Sequence, residues 1–249
     1  MVAITSAVED YLKAIYALSS RGEVVTTGLL AHEVGVSSPS VSAMVKRLQS
    51  EQLVDRPDGR PLRLTAHGEQ AALRVIRRHR LLETLLATML AVPWDEVHAE
   101  AELLEHALSD RLEERIDTAL GHPARDPHGD PIPPRHGSHD DSWGQPLDAA
   151  PVGCRFRVDR VSDRDSDALR YLGSLGVTPG VVLDVQEQAP FGGPRWVQVH
   201  GKRHALGAPL TRLLHGQIIT DAPEDAVPAT ANAPMTGPTT SSARVEQRR

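Results

Sequence analysis

The sequence predicts an α+β protein of several domains: a winged helix-turn-helix, a helical domain, a small β-barrel and a disordered tail. Apolar residues recur with a helical period in the first half of the chain. Turn residues separate short alternating segments in the second half, and the end is rich in Ala, Pro, Thr and Ser. With 249 residues there is room for about two or three domains. We place the boundaries at 1–73, 74–135, 136–152 (a linker), 153–220 and 221–249 (the tail).

The first part of the chain predicts three helices. Residues 7–19 carry apolar side chains at 8, 11, 12, 15 and 18, which is the spacing of one helix face. A short second helix should end at Gly35, a residue type favoured just after helices. Serines that cap helices, with a proline in the first turn, open the third helix at Ser37. Two short helices joined by a tight turn form a helix-turn-helix.

A hairpin is predicted directly after the helix-turn-helix. Short apolar segments flank Asp58-Gly59, which is a strong signal for a two-residue hairpin turn. A helix-turn-helix followed by such a hairpin is a winged helix. Thr65 is expected to cap the next helix.

Charge is unevenly distributed in the predicted helical domain. Residues 60–80 have a balance of +5 and residues 95–117 a balance of −7, although the whole chain carries −6. Local charge decides which partners a surface attracts. We therefore expect the first segment to attract phosphate and the second to need a cation.

Histidines and carboxylates gather at helical spacing. His98, Glu102, Glu105 and His106 stand at i, i+4, i+7 and i+8 of a helix predicted from Trp94 to Ala119. His79 and Glu83 repeat the i, i+4 arrangement on the preceding helix. An acidic face in water explains any one of these residues, but the whole set favours a divalent metal. Oxygen and imidazole donors suit manganese or iron(II).

The rest of the chain predicts a loop and a small all-β domain. Residues 122–150 are rich in Pro, Gly, Asp and His without apolar periodicity, as in a linker or ordered loop. Alternating apolar residues between turns follow over 153–220, which indicates a small barrel. The one cysteine, Cys154, excludes a disulfide within the chain and fits a reducing compartment. Because the sequence lacks a secretory signal and a membrane-spanning apolar stretch, we expect a cytoplasmic protein without membrane contact.

Three motifs in this order resemble the diphtheria-toxin-repressor family of metal-dependent transcriptional regulators. They are the Arg-Arg-His-Arg-Leu-Leu-Glu run at 77–83, the Glu-Leu-Leu-Glu-His run at 102–106 and the Asp-Pro-His-Gly-Asp-Pro-Ile-Pro run at 126–133. The similarity covers roughly residues 5–220 and is greatest to manganese-responsive actinobacterial members. Residues 175–180 are similar to the barrel of the ferrous-iron-transport protein A family, which implies a Src-homology-3-like (FeoA-like) C-terminal domain.

The resemblance implies a primary metal site of Asp10, Glu102, Glu105 and His106. Iron-responsive members carry methionine and cysteine at the first two positions, where this chain has hard oxygen donors that shift preference toward Mn²⁺. Fe²⁺ remains the alternative cofactor. One departure is Lys13, where two-domain manganese regulators have a second glutamate. A closely bridged pair of manganese ions is therefore not expected.

The resemblance also implies an ancillary site that includes His79, Glu83 and His98. In iron-type members the barrel domain completes this site, and the corresponding residue here is Asp165. A streptococcal-type variant takes ligands from the Pro-Ile-Pro loop instead, which implies Asp126 and His128. Both versions remain open at this point.

The helix that opens at Ser37 is the predicted reading helix for double-stranded operator DNA, bound by a homodimer. Hydroxyl groups and a proline here can contact phosphates or base edges, whereas basic side chains bind phosphate. The first group comprises Ser37, Ser38, Pro39, Ser40 and Ser42, and the second comprises Lys46, Arg47 and Arg60 of the wing.

The sequence therefore predicts a manganese-dependent repressor of metal-homeostasis genes and not an enzyme. Without an ion, the carboxylates of Asp10, Glu102 and Glu105 should repel one another and leave the winged helix loosely held. The alternative within the family is an iron(II)-dependent repressor. Alternatives from other classes are a metallohydrolase that uses the helix cluster and a metal-storage protein without DNA binding.

Overall fold

The computed structural model describes residues 5–56, 61–137 and 139–219. They form a winged-helix domain, a helical domain and a sheet domain, in the predicted order. The winged-helix domain consists of α1 (Ser6–Ser20), α2 (Thr27–Val34), α3 (Ser38–Ser50), β1 (Val54–Asp55) and β2 (Arg63–Leu64). The predicted turn Asp58-Gly59, Arg60 and the predicted tail lie outside the described residues.

Local capping signals explain where the first helices begin and end. The side chain of Thr26 accepts a hydrogen bond from the Leu29 backbone, and that of Ser37 accepts one from Ser40. Gly35 ends α2 with a φ of 72°, a conformation that glycine adopts without strain. The apolar faces of α1, α2 and α3 share one core with β1 and β2.

The long helix α4 (Ala66–Met89) joins the winged-helix domain to the helical domain. Thr65 caps its first turn, as predicted, by accepting a hydrogen bond of 3.0 Å from the Gly68 backbone. Ala72 packs in the winged-helix core, whereas Leu81 and Leu82 pack in the core of the helical domain. One rigid element therefore spans the boundary placed at residue 73.

The single helix predicted from Trp94 to Ala119 is wrong. Helix α5 (Val97–Leu104) ends in a 3-10 turn (Glu105–Ala107), and α6 (Asp110–Ala119) starts afresh. The Ser109 side chain accepts a hydrogen bond of 3.3 Å from the Leu112 backbone, so it caps α6. As a result Glu105 and His106 do not continue the α-helical face of His98.

The sheet domain has six antiparallel strands in the order β3, β8, β4, β5, β6, β7. Among the described residues no pairing joins β3 to β7, so this small sheet is open rather than fully closed. Its apolar core includes Phe156 and Leu183. The elements are β3 (Gln145–Pro146), β4 (Arg155–Val161), α7 (Ser166–Ser174), β5 (Val182–Gln188), β6 (Arg195–Val199), β7 (Lys202–Leu206), α8 (Ala208–Thr211) and β8 (Leu214–Ile219).

Part of the predicted linker belongs to the sheet domain. β3 pairs with β8, and the next residue, Leu147, is fully buried in the sheet core. The loop that precedes the linker also packs on the sheet, because the Val161 backbone donates a hydrogen bond of 2.9 Å to the His128 carbonyl. No helix within the described ranges is long and apolar enough to cross a membrane.

Candidate metal centre and DNA interface

Three arginines of α4, Arg77, Arg78 and Arg80, pair with acidic side chains of the protein. Arg77 pairs with Glu113 and Asp117 at 2.9 Å each, and Arg80 pairs with Asp141 at 3.3 Å. Both arginines are about nine-tenths buried. The expectation that segment 60–80 attracts phosphate is therefore wrong for these three arginines, because acidic residues that follow in the sequence fold back onto them.

Ligand-type side chains from separate segments converge between the helical domain and the sheet domain. His79 and Glu83 come from α4, His98 from α5 and Asp163 from the segment after β4. One ligand atom from each of the four lies within 4.8 Å of the others. We call this group, together with the loop residues Asp126 and His128, the inter-domain cluster.

Asp163, rather than the expected Asp165, is the carboxylate that the sheet domain contributes. Asp163 Oδ2 lies 2.9 Å from His98 Nδ1. Asp165 instead caps α7, where its side chain accepts a hydrogen bond of 3.0 Å from the Ala168 backbone. The Asp165 assignment is corrected accordingly.

The cluster carries strongly perturbed protonation. Burial alone would lower the pKa of His79, but Glu83 and the hydrogen bond to Glu105 raise it to about 9. Burial likewise opposes protonation of His98, yet the hydrogen bonds to Asp163 and Glu83 raise its pKa to about 11. The two imidazoles are therefore cationic at neutral pH and lie among these carboxylates.

Two residues of the 126–133 loop extend the cluster, as the streptococcal-type alternative implies. One atom each of Glu83, Asp126 and His128 lies within 4.8 Å of the others, and all three side chains are buried. His128 Nε2 lies 2.7 Å from the Trp94 carbonyl and so donates to it. His128 Nδ1 lies 3.7 Å from Glu83 Oε2 and has no hydrogen-bond partner, although it is buried. A buried, unsatisfied ring nitrogen is costly unless something binds it.

A second group, the α1 cluster, combines Asp10 on α1 with Glu102, Glu105 and His106. His106 Nε2 lies 2.8 Å from Asp10 Oδ1. Its Nδ1 lies 2.6 Å from Glu9, a carboxylate that the sequence analysis did not single out. One atom each of Asp10, Glu105 and His106 lies within 4.8 Å of the others. The structure therefore brings three of the four predicted primary ligands together, whereas Glu102 groups with His79 and Glu105.

Lys13 changes the expected balance of charge in the α1 cluster. Its ammonium donates to Glu102 at 2.6 Å and to Glu105 at 2.7 Å. Burial alone would lower the pKa of Lys13, but these two carboxylates raise it, so the side chain stays charged. The expected repulsion among the carboxylates is thus offset by Lys13 and His106, which already join α1 to the helical domain.

The donors of both clusters suit a hard or borderline divalent ion. Every one is a carboxylate oxygen or an imidazole nitrogen, and Cys154 packs against the sheet core instead. Carboxylates and imidazoles are the donors that manganese and iron(II) accept. The unpaired His128 nitrogen and the convergence of Glu83 and Asp126 on it fit a bound cation.

The surface of α3 is open to a partner. All seven described residues of the predicted DNA interface, from Ser37 to Arg47, are exposed. Ser42 donates to the Ser38 carbonyl at 3.0 Å and Arg47 pairs with Glu51 at 2.8 Å, so both side chains are held on the helix surface. Arg60 lies in the undescribed wing.

Three family models match the chain. The N-terminal DNA-binding domain of iron-dependent repressors matches residues 3–59, their metal-binding and dimerisation domain matches 65–134, and the FeoA domain matches 145–215. The iron-dependent repressor IdeR of Mycobacterium tuberculosis is 34% identical over 199 residues, which are 74% of this chain and 85% of that protein.

Solved structures show the same arrangement of domains. A manganese-dependent transcriptional repressor in complex with manganese is 40% identical with a TM-score of 0.79, covering 85% of this chain and 100% of that one. The manganese regulator SloR is 32% identical with a TM-score of 0.72, covering 85% of this chain and 98% of its own.

Proposed function

Because this chain belongs to the iron-dependent repressor family, we propose that it is a manganese-responsive transcriptional repressor that binds operator DNA as a homodimer. Such a protein acts in the cytoplasm, and the proposal gives it a regulatory rather than a catalytic role. Its metal-binding residues are the inter-domain cluster and the α1 cluster.

The observation that carries the metal assignment is the unsatisfied Nδ1 of His128. The Trp94 carbonyl accepts from Nε2, and Nδ1 faces Glu83 at 3.7 Å. Burial alone would lower the pKa of His128, but Glu83 raises it to about 9, so an ion that binds Nδ1 would replace a proton there. An ion bound there would supply positive charge in place of the protons on His79 and His98. Within the inter-domain cluster we assign Glu83, Asp126, His128 and Asp163 as its main ligands, with His79 and His98 beside them.

The α1 cluster links the DNA-binding domain to the helical domain. Asp10 and Glu9 belong to the winged-helix domain, whereas Glu105 and His106 belong to the turn after α5. Side chains from both domains therefore share one site, and the position of α1 depends on what they bind. This provides a physical route from metal binding to the presentation of α3, since α1 and α3 share a core.

Exposed apolar side chains support the homodimer. Five large apolar residues at the end of α4 and on α5 and α6 are exposed in the segment matched by the dimerisation-domain model. Such a patch on a protein surface usually meets a partner. The residues are Met89, Leu90, Leu103, Leu104 and Leu112.

Manganese is favoured over iron(II) because carboxylate oxygens stand at Asp10 and Glu102, where iron-responsive members carry sulfur ligands. To test the choice, duplexes selected from a random library in the presence of the protein and Mn²⁺ are titrated with Mn²⁺, Fe²⁺ (anaerobically) and chelator. We expect high-affinity DNA binding that a chelator abolishes. Half-maximal binding should need a lower free concentration of Mn²⁺ than of Fe²⁺. Equal activation by both ions at equal free concentrations would favour the iron(II) alternative.

A matched pair of variants tests the site itself. Asp163→Ala removes a proposed ligand, whereas Asp165→Ser changes the neighbouring acid and keeps a residue that can cap α7. We expect metal-dependent DNA binding to weaken strongly in the first variant and to persist in the second. Metal-independent DNA binding by the unaltered protein contradicts the proposal, and metal binding without any DNA binding favours the storage alternative.

A further inference from the structure

Lys13 occupies the carboxylates that the α1 cluster offers to a metal. Its ammonium contacts Glu102 Oε1 and Glu105 Oε1, and only 18% of the Lys13 side chain is exposed. The other oxygen of Glu105 accepts a hydrogen bond of 2.5 Å from His79 Nδ1. Both oxygens of the fully buried Glu105 are thus already bonded to cationic donors.

An ammonium and a divalent ion cannot share these oxygens at bonding distance, because the two positive charges repel. Lys13 sits one helical turn after Asp10 on the same helix, so the ammonium and the Asp10 carboxylate face the same cluster. Any ion held by Asp10, Glu105 and His106 must displace the ammonium from Glu105 or weaken its contact.

We propose that Lys13 is an internal counter-cation that competes with the metal for Glu102 and Glu105 and so raises the ion concentration needed to fill the α1 cluster. This inference rests on the proposed function. Lys13 also keeps α1 attached to the helical domain when its ammonium is bonded, so it substitutes for the ion in holding the two domains together.

A purely structural salt bridge makes the opposite prediction for metal affinity. If Lys13 only stabilised the fold, its loss would leave metal binding unchanged or weaken it. If Lys13 competes, its loss lowers stability without metal yet strengthens binding at the α1 cluster. The two outcomes differ in sign.

The test is a Mn²⁺ titration of the full chain, with free Mn²⁺ read by electron paramagnetic resonance. The variants are Lys13→Met and Lys13→Gln, which remove the charge, and Lys13→Arg, which keeps it. The control is Lys202→Met, which removes an exposed lysine from β7 of the sheet domain. Melting temperatures are measured with and without Mn²⁺.

We expect the α1 cluster to bind Mn²⁺ more tightly, by about tenfold or more, in Lys13→Met and Lys13→Gln. In these variants two charge-assisted hydrogen bonds no longer oppose the ion. Both variants should melt at a lower temperature than the unaltered protein without Mn²⁺ and show a larger Mn²⁺-induced rise. Lys13→Arg and Lys202→Met should resemble the unaltered protein in metal affinity.

Unchanged or weaker Mn²⁺ binding in both charge-removing variants overturns the role of Lys13 and leaves the repressor function intact. Absence of Mn²⁺ binding in the unaltered protein instead overturns the proposed function. Should Lys13→Met fail to fold, Lys13→Gln decides the question, since its amide still donates a hydrogen bond to one carboxylate.

Discussion

Substituting Gly129 should disturb the inter-domain cluster without touching a ligand. Gly129 follows His128 and has a φ of +88°, and an added Cβ would lie 2.1 Å from the Asp159 carbonyl oxygen. Backbone cannot move aside as a flexible side chain does. In Gly129→Ala the loop must therefore shift away from β4, and it carries Asp126 and His128 with it.

A matched control separates the clash from the backbone strain. Gly121 also has a positive φ, +73°, but an added Cβ there meets nothing within 4 Å. Left-handed backbone costs an ordinary residue roughly 1–2 kcal/mol, which is the whole loss in the free energy of unfolding expected for Gly121→Ala. Displacing packed backbone adds about 1–3 kcal/mol, so we expect about 2–5 kcal/mol for Gly129→Ala.

Urea denaturation and Mn²⁺ titration together measure these effects. The Mn²⁺ affinity of Gly129→Ala should fall about 10- to 100-fold, the range that applies when the support of a ligand is lost. Gly121→Ala should keep its affinity because its strain lies at the end of α6, away from the cluster. If the two variants matched in both stability and affinity, the docking of the 126–130 loop on β4 would not position His128.

Three further predictions test protonation, domain contact and assembly. A protonated His98 opposes an ion beside it, and its pKa is raised to about 11. Mn²⁺ affinity should therefore increase between pH 6 and pH 8 by about tenfold per unit for each proton that the ion displaces, which titration at several pH values measures. Arg164 of the sheet domain contacts Glu33 of α2 in the winged-helix domain. Because exposed ion pairs contribute only about 0.2–1 kcal/mol, Arg164→Ala should leave Mn²⁺ affinity unchanged and weaken DNA binding by at most about fivefold. A larger loss of DNA affinity, measured by fluorescence anisotropy, contradicts this reasoning. Leu103 is 76% exposed, and Leu103→Glu should shift sedimentation toward the monomer, whereas an unchanged dimer places the interface elsewhere.

Local signals in the sequence were sufficient for the helices of the winged-helix domain and for the start of α4. Thr65 and Ser37 are capping residues whose partners lie three residues away, and Gly35 ends its helix through its own backbone conformation. Such interactions involve only neighbouring residues, so a single sequence reveals them. The same is true of the alternating strand residues Phe156 and Val158, both fully buried.

The errors concern residues whose roles depend on distant partners. Arg77 looked like part of a phosphate-binding surface because nothing local shows that Glu113 and Asp117 fold back onto it. Asp163 and Asp165 are nearly equivalent in the sequence. A capping argument would have separated them, since Asp165 directly precedes a helix with apolar periodicity and is therefore better placed as its N-cap.

The two clusters cannot act independently, because His79 belongs to both. Its Nε2 lies 2.9 Å from Glu83 in the inter-domain cluster, and its Nδ1 lies 2.5 Å from Glu105 in the α1 cluster. An ion that takes Glu83 removes one of the carboxylates that keep His79 protonated, so the proton on Nδ1 is held less strongly. Loss of that proton leaves Glu105 with one cationic donor, Lys13, in place of two. Binding at either cluster must therefore change the affinity of the other, and thermodynamic linkage requires that the effect be equal in both directions.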